Sequence, residues 1–257
     1  MSTALITGAS GGIGLELARE CARHGWDLAI VARTASTLQA VADELSETHK
    51  IRVTPVPLDL ADERSPQQLF ERLRAAHIHV DALINNAGFT TYGMFVDVPA
   101  AEELEEIRLN VVALTALIKL FLPPMIARRS GRILNVASTA GYQPGPLMAV
   151  YYATKAYVLS LSQALAEETR GTGVTVTTLC PGPTETGFRS RGNVPRTKLF
   201  RFIAGESKSV AKAGYAGMMR GKRVVIPGAF NAAGAYMARV SPTGIVTRVI
   251  RHVNSPQ

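Results

Sequence analysis

The sequence predicts an α/β protein built as an open, doubly wound parallel sheet with helices on both faces. It reads as a single domain over residues 1–257, closing in a helical extension at 229–257. Three observations predict this. Short runs rich in valine, isoleucine and leucine alternate with longer runs of helical period along most of the chain. A glycine-rich turn joins the first apolar run to the first helical one, a join that parallel α/β units use to meet a phosphate. The 257 residues are 47% hydrophobic, enough for one large core, and no Pro/Gly/Ser-rich linker, repeat or low-complexity break divides them.

Thr3–Thr7 is the first strand. It runs into Thr7-Gly8-Ala9-Ser10-Gly11-Gly12-Ile13-Gly14 and then into a helical period through about His24. Glycines let backbone approach a pyrophosphate, and the following helix offers free N–H groups and partial positive charge. Gly8, Ser10, Gly11, Gly12, Ile13 and Gly14 are therefore read as dinucleotide-binding, against the plainer reading of a tight turn without ligand. Asp27–Ala32 is the second strand. It ends Val31-Ala32-Arg33-Thr34, without the acid that in many such folds holds the ribose 2′-hydroxyl of NAD. Arg33 suits a 2′-phosphate instead, which points to NADP, with NAD as the alternative.

A helix over about Ser36–Thr48 and a strand Arg52–Pro57 follow. Leu58-Asp59-Leu60 closes the strand, and Asp59 either accepts a hydrogen bond from adenine or begins the next loop. Ser65–Ala76 is helical, with Pro66 in its first turn. Ala82–Ile84 is a buried strand leading to Asn85-Asn86-Ala87-Gly88, and Phe89–Phe95 reads as a pocket wall. A long helix is expected from Ala101 to Arg128. Asn110 sits inside it, where asparagine is mildly disfavoured, so it either plays a buried polar role or faces solvent. The apolar stretch Val111–Ala127 is interrupted by Lys119 and by Pro123-Pro124, and it reads as a helix covered by protein.

Arg132–Ala137 is a strand ending at Ser138, on the edge where open α/β sheets bind ligands. A Gly/Pro-rich loop, Thr139–Val150, leads to a helix that runs to about Arg170. Tyr151 and Lys155 open it one turn apart on one face. An ammonium beside a phenol favours the phenolate, and such a tyrosine serves as a general acid or base. Val174–Cys180 is a strand stopped by Pro181-Gly182-Pro183, with Thr184-Glu185-Thr186 next. The irregular basic segment Phe188–Ala204 is a candidate cover, within a lid span of 184–215. Ser207–Arg220 is an amphipathic helix and Arg223–Ile226 a last strand. Beyond, Ile245, Val246, Val249, Ile250 and Val253 form one apolar stripe. It packs on its own fold or on a partner subunit, or it lies on a membrane surface.

The formal charge of +8 is uneven. Residues from Pro181 onward carry +11, and residues 1–180 carry −3. This local excess invites an anionic ligand, an acidic partner or weak contact with a membrane surface, beside the plainer role of a solvated face. No nucleic-acid partner is expected. Cys21 and Cys180 lack metal or redox spacing, so they read as buried thiols of a reducing, cytoplasmic compartment. Neither a signal peptide nor a metal is expected.

These motifs together resemble the short-chain dehydrogenase/reductase family, and within it the NADP-preferring bacterial carbonyl reductases. Thr7–Gly14 resembles its T-G-x-x-x-G-x-G turn, Asp59-Leu60 its adenine-contacting D-L, and Asn85–Gly88 its N-N-A-G. Tyr151–Lys155 fits Y-x-x-x-K, and Pro181–Thr186 fits P-G-x-x-x-T. Ser138 stands thirteen residues before Tyr151, as the family's catalytic serine does. The resemblance implies a Rossmann fold. It implies that Tyr151 exchanges the proton, that Lys155 holds the nicotinamide ribose and lowers the phenol's pKa, and that Ser138 bonds the substrate oxygen. Asn110 would position a water that links Lys155 to solvent. Asn86, Ala87, Gly88, Pro181, Gly182, Thr184 and Thr186 would complete the cofactor site. The expected activity is NADP(H)-dependent interconversion of a carbonyl and a secondary or primary alcohol by a homodimer or homotetramer. The alternatives are an NAD-dependent dehydrogenase of a steroid or hydroxy-lipid, and a catalytically silent dinucleotide-binding regulator. Two departures stand out. Gly11 occupies a position that is basic in many NADP-linked members. The C-terminus also lacks the short glycine-containing ending of ketoacyl reductases.

Overall fold

The computed structural model describes residues 2–185, 194–195 and 205–256. Thr186 and nearly all of the expected cover Phe188–Ala204 lie outside the described residues. The strands are β1 (Thr3–Thr7), β2 (Asp27–Ala32), β3 (Val53–Pro57), β4 (Ala82–Asn85), β5 (Gly131–Val136), β6 (Val174–Leu179), β7 (Thr184–Glu185), β8 (Gly205–Glu206) and β9 (Val224–Val225). The helices are α1 (Gly12–Arg23), α2 (Ala35–His49), α3 (Ser65–Ala75), α4 (Ala100–Ile107), α5 (Leu114–Ala127) and α6 (Ala149–Glu168), then α7 (Ser207–Met219), α8 (Ala229–Val240) and α9 (Thr243–Asn254).

Seven strands form one parallel sheet in the order β3-β2-β1-β4-β5-β6-β9, and β7 pairs with β8 separately. Strand order reverses between β1 and β4, which opens a crevice beyond their carboxyl ends. The pleat sorts the side chains into two layers. Ala4 and Ile6 of β1, with Leu28 and Ile30 of β2, share a core with α1, α2 and α7. Leu5 and Ala29 face the opposite core, shared with α3, α5 and α6. Both faces are covered, which explains why the strands read as continuous apolar runs.

Four expectations need correction or refinement. The helix expected over Ala101–Arg128 is interrupted by a π-turn, Arg108–Ala113, between α4 and α5. The wider turn carries Asn110, whose amide is satisfied inside the protein by Phe89 and Thr154. The loop Thr139–Val150 contains a 3-10 turn at Thr139–Tyr142, begun by Ser138 Oγ accepting from Ala140 N at 3.1 Å, and α6 starts at Ala149. The end of the lid span belongs to α7, where Val210, Ala211 and Tyr215 are buried in the core. The extension at 229–257 contains α8 and α9, and α8 packs on the 3-10 turn. The run Ala100–Ala127 is long and apolar enough to cross a membrane. Here Leu117, Ile118, Phe121 and Met125 of α5 are in the core.

Candidate active site

A cavity of about 730 Å³ follows the carboxyl ends of the strands. Crossing the sheet, it meets Asp59 and Leu60 after β3, Arg33 after β2, and Gly8, Ser10, Gly11, Gly12 and Ile13 after β1. It then meets Asn86, Ala87 and Gly88 after β4, Ser138 after β5, and Pro181, Gly182 and Thr184 after β6. Tyr151 and Lys155 of α6 also line it. Parallel strands end on the same edge, so residues distant in sequence converge there.

The cradle is built by backbone approach. Gly8 has φ +69°, and a Cβ there would lie 2.9 Å from Ala87 Cα. Asn86 Nδ2 donates to the carbonyls of Thr7 (2.9 Å) and Gly8 (3.2 Å), while Thr7 Oγ1 accepts from the backbone N–H of Asn86 and of Ala87, each at 3.0 Å. These bonds lock the glycine turn to the loop after β4. At the start of α1, Gly11 supplies no side-chain cap, and a Cβ there would meet nothing within 4 Å. The helix therefore presents uncapped N–H groups to open space with no acid in its first turn, a fit for a pyrophosphate.

Two predicted residues stand behind the cavity. Gly14 does not line it. A Cβ at Gly14 would fall 2.2 Å from Gly8 O and 2.3 Å from Asn86 Nδ2, so this glycine allows the helix to pack on the turn. Asn110 is 1% exposed and lies behind Gly88, where a Cβ would come within 2.8 Å of Asn110 Oδ1 and 3.6 Å of Lys155 Nζ. Asp59 serves both of its readings, since it lines the cavity and its Oδ1 accepts from Ala61 N at 3.0 Å. Arg33 stands at the lip, half-exposed, 4.0 Å from Glu105.

The Tyr151 phenol is hydrogen-bonded to Ser138. Lys155 Nζ donates to Val136 O at 2.9 Å and lies 5.7 Å from the centre of the Tyr151 ring. Burial pushes the phenol's pKa well above that of a free tyrosine, and the bond to Ser138 only partly opposes it. Desolvation disfavours the phenolate here. Burial also lowers Lys155 to about 8, with the charge of Glu106 pulling the other way.

Sequence reasoning missed the far wall. Asn254, at the end of α9, is 1% exposed. Its Nδ2 donates to Pro146 O at 3.0 Å, its Oδ1 accepts from Tyr152 Oη at 3.4 Å, and its carbonyl accepts from Tyr92 Oη at 2.8 Å. The helix is thus latched to the loop before Tyr151. The stripe Ile245, Val246, Val249 and Ile250 lines the cavity, as do Phe230 and Met237 of α8. The stripe was visible in the sequence. Its destination was not, and nothing marked Asn254. Glu106 was also missed, a buried acid in the last turn of α4.

A doubly wound sheet with a glycine cradle, and with a serine, a tyrosine and a lysine at its carboxyl edge, defines a dinucleotide-dependent oxidoreductase. The short chain dehydrogenase family model matches residues 2–195, and the chain belongs to this family, whose members act on carbonyls and alcohols with NAD(P). The uncharacterized oxidoreductase YvrD of Bacillus subtilis is 37% identical over 182 residues, covering 71% of this chain and 68% of that one. A short-chain dehydrogenase from Sphingobium yanoikuyae, solved in complex with NADPH, superposes with a TM-score of 0.83 at 32% identity over 94% of this chain and 97% of that one. The bulky-bulky ketone specific alcohol dehydrogenase from Comamonas testosteroni superposes with a TM-score of 0.79 at 32% identity over 93% and 92%.

Proposed function

We propose that the protein is an NADP(H)-dependent reductase of a bulky, lipophilic ketone or aldehyde, with Tyr151 as its general acid and base. One observation carries this reading. The cavity that holds the glycine cradle is continuous, past Tyr151, with an apolar wall formed by Met148, Tyr152, Phe230, Met237, Val246 and Ile250. A carbonyl seated against Tyr151 and Ser138 meets two hydroxyl donors where negative charge develops on its oxygen. Burial keeps the Tyr151 phenol protonated, as a proton donor requires. Lys155, a cation below about pH 8, would hold the nicotinamide ribose. Pro181, Gly182, Thr184 and Thr186 would hold the nicotinamide end. The bound cofactor supplies the hydride. Arg33, with no acid at the end of β2, supports NADP over NAD, as does the Sphingobium relative's NADPH complex. The Comamonas relative's bulky ketone supports the substrate class.

The test is NADPH and NADH oxidation with ketones and aldehydes of graded bulk, alongside Tyr151→Phe. NADPH and the bulkier carbonyls should be preferred, and the variant should lose roughly 10²–10⁴-fold in kcat/KM while still binding NADPH. Undiminished turnover in Tyr151→Phe would remove the phenol from the chemistry.

The assembly we expect is a homodimer or homotetramer joined through the outer faces of α4 to α6, where Leu104, Val112, Ile126 and Tyr157 are exposed. Sedimentation as a monomer at assay concentration would refute it. Exposed Ile245 and Val249 beside Arg248 and Arg251 also fit weak contact with an anionic membrane. Cosedimentation with anionic vesicles, with and without residues 243–257, tests that contact.

A further inference from the structure

The cavity wall after β6 is backbone whose acceptors are already engaged. Pro181 O accepts from Thr139 N at 2.9 Å and from Ser138 Oγ at 3.4 Å. Gly182 O accepts from Thr184 Oγ1 at 2.9 Å, and Pro183 O from Gly205 N at 2.9 Å. Pro181 and Pro183 have no N–H to offer. Asn231, in the first turn of α8, lines the cavity against this wall. A Cβ at Gly182 would fall 2.5 Å from Asn231 Oδ1 and 2.7 Å from both its Cγ and its Nδ2. The amide therefore lies flat on Gly182, an approach that a side chain there would block.

The donor side of that amide determines its orientation. Nδ2 donates to Pro227 O at 2.8 Å, one turn back. A carbonyl only accepts, so the nitrogen has to face it, and the oxygen is left as the amide atom nearest Gly182. Oδ1 accepts no hydrogen bond among the described residues. Asn231 is half-buried, which makes this oxygen an open acceptor of fixed direction. Such an acceptor favours a ligand that brings an N–H or O–H to it over an apolar one. Asn231 also lies beyond residues 2–195, the stretch that the family model matches.

We infer that Asn231 is a further cofactor-binding residue, its Oδ1 accepting a hydrogen bond from the carboxamide nitrogen of the nicotinamide. The inference rests on the reading above, in which the nicotinamide end lies against Pro181, Gly182 and Thr184. A carboxamide brings an NH2 group with two donors, and those donors need acceptors. The backbone carbonyls of this wall are engaged, and the Asn231 oxygen is not. Asn231 exchanges no proton and acts by holding the cofactor. Phe230 and Met237 stand on the same helix and line the apolar wall, so the residue ties that wall to the cofactor site.

The test is calorimetric titration of the full-length protein, without substrate, with NADP+ and with its acetylpyridine analogue, in which a methyl group stands where the carboxamide has NH2. The wild type should bind NADP+ roughly threefold to tenfold more tightly than the analogue, the contribution of one neutral hydrogen bond. Asn231→Leu keeps the size of the side chain and removes the acceptor. It should weaken NADP+ by about that factor and bind the two cofactors alike. Gly182→Ala keeps Asn231 but pushes its amide aside, so it should shrink the same preference, and it carries the test if Asn231→Leu does not fold. A purely structural role would weaken both cofactors equally and leave their ratio unchanged. A wild type without the preference, or variants that keep it, overturns the assignment of Asn231 alone. A wild type that binds no dinucleotide overturns the underlying reading and the assignment with it.

Discussion

Thr7→Val should destabilise the protein by about 2–4 kcal/mol and loosen the cofactor cradle, whereas Thr7→Ser should do little of either. Valine matches threonine in shape, so no cavity forms and the change isolates one oxygen. That oxygen accepts from the N–H of Asn86 and of Ala87 at 3.0 Å each, and the Thr7 side chain is almost wholly buried. An orphaned buried N–H costs about 1–3 kcal/mol. Asn86 and Ala87 are only half-buried, which places each at the lower end, about 1–2 kcal/mol. For a chain of this size the sum corresponds to a drop in Tm of roughly 5–15 °C. The same bonds fix the loop that faces Gly8, so NADPH affinity should fall with stability. Thermal melts by circular dichroism and NADPH titration by fluorescence measure both. Valine and serine variants that melt within about 2 °C of one another and bind NADPH alike would refute this role for the Thr7 oxygen.

Arg33→Ala should weaken NADPH roughly tenfold or more while leaving NADH unchanged, measured by calorimetric titration, because only the 2′-phosphate engages the guanidinium. Asn254→Ala removes two side-chain bonds that latch α9 over the cavity. It should raise KM for bulky ketones several-fold and speed proteolysis near the C-terminus, with Tm lowered by no more than roughly 5 °C. Glu106 has a folded pKa of about 7, above its ordinary 4.5, so the folded state binds the extra proton between those values and loses stability as pH rises through them. Glu106→Gln should therefore gain on the wild type by up to about 3 kcal/mol at pH 8, and the gain should shrink towards pH 5, as melts at the two pH values would show. Burial favours the neutral Tyr151 phenol, so initial rates of alcohol oxidation should climb with pH well past neutrality while reduction declines.

The sheet and the cradle were legible because their causes are local. Strands buried on both faces must read as unbroken apolar runs, and a turn that brings backbone against Ala87 needs glycine at φ +69°. The catalytic edge was legible for a related reason. Every strand of a parallel sheet points the same way, so Ser138, Asn86 and Pro181 had to converge once the strands ending at them were found. The places of Gly14 and Asn110 were legible only in part. A motif position does not distinguish a glycine that touches a ligand from one that admits a neighbouring carbonyl at 2.2 Å from its would-be Cβ. Nor does a helical period register the π-turn at Arg108–Ala113. The latch at Asn254 was illegible because its partners, Tyr92, Pro146 and Tyr152, are all more than a hundred residues away in sequence.

Charge was the least legible property, for a physical reason. Spacing alone places an ammonium one turn from a phenol, and in water that arrangement would favour the phenolate. The folded site adds desolvation, which acts against every charged form at once: it raises Tyr151 and Glu106 and lowers Lys155. The three shifts bring Glu106, at about 7, and Lys155, at about 8, within reach of each other, while the phenol stays protonated. The Y-x-x-x-K spacing determines which side chains meet. It is the burial around them that sets which of them carries a charge.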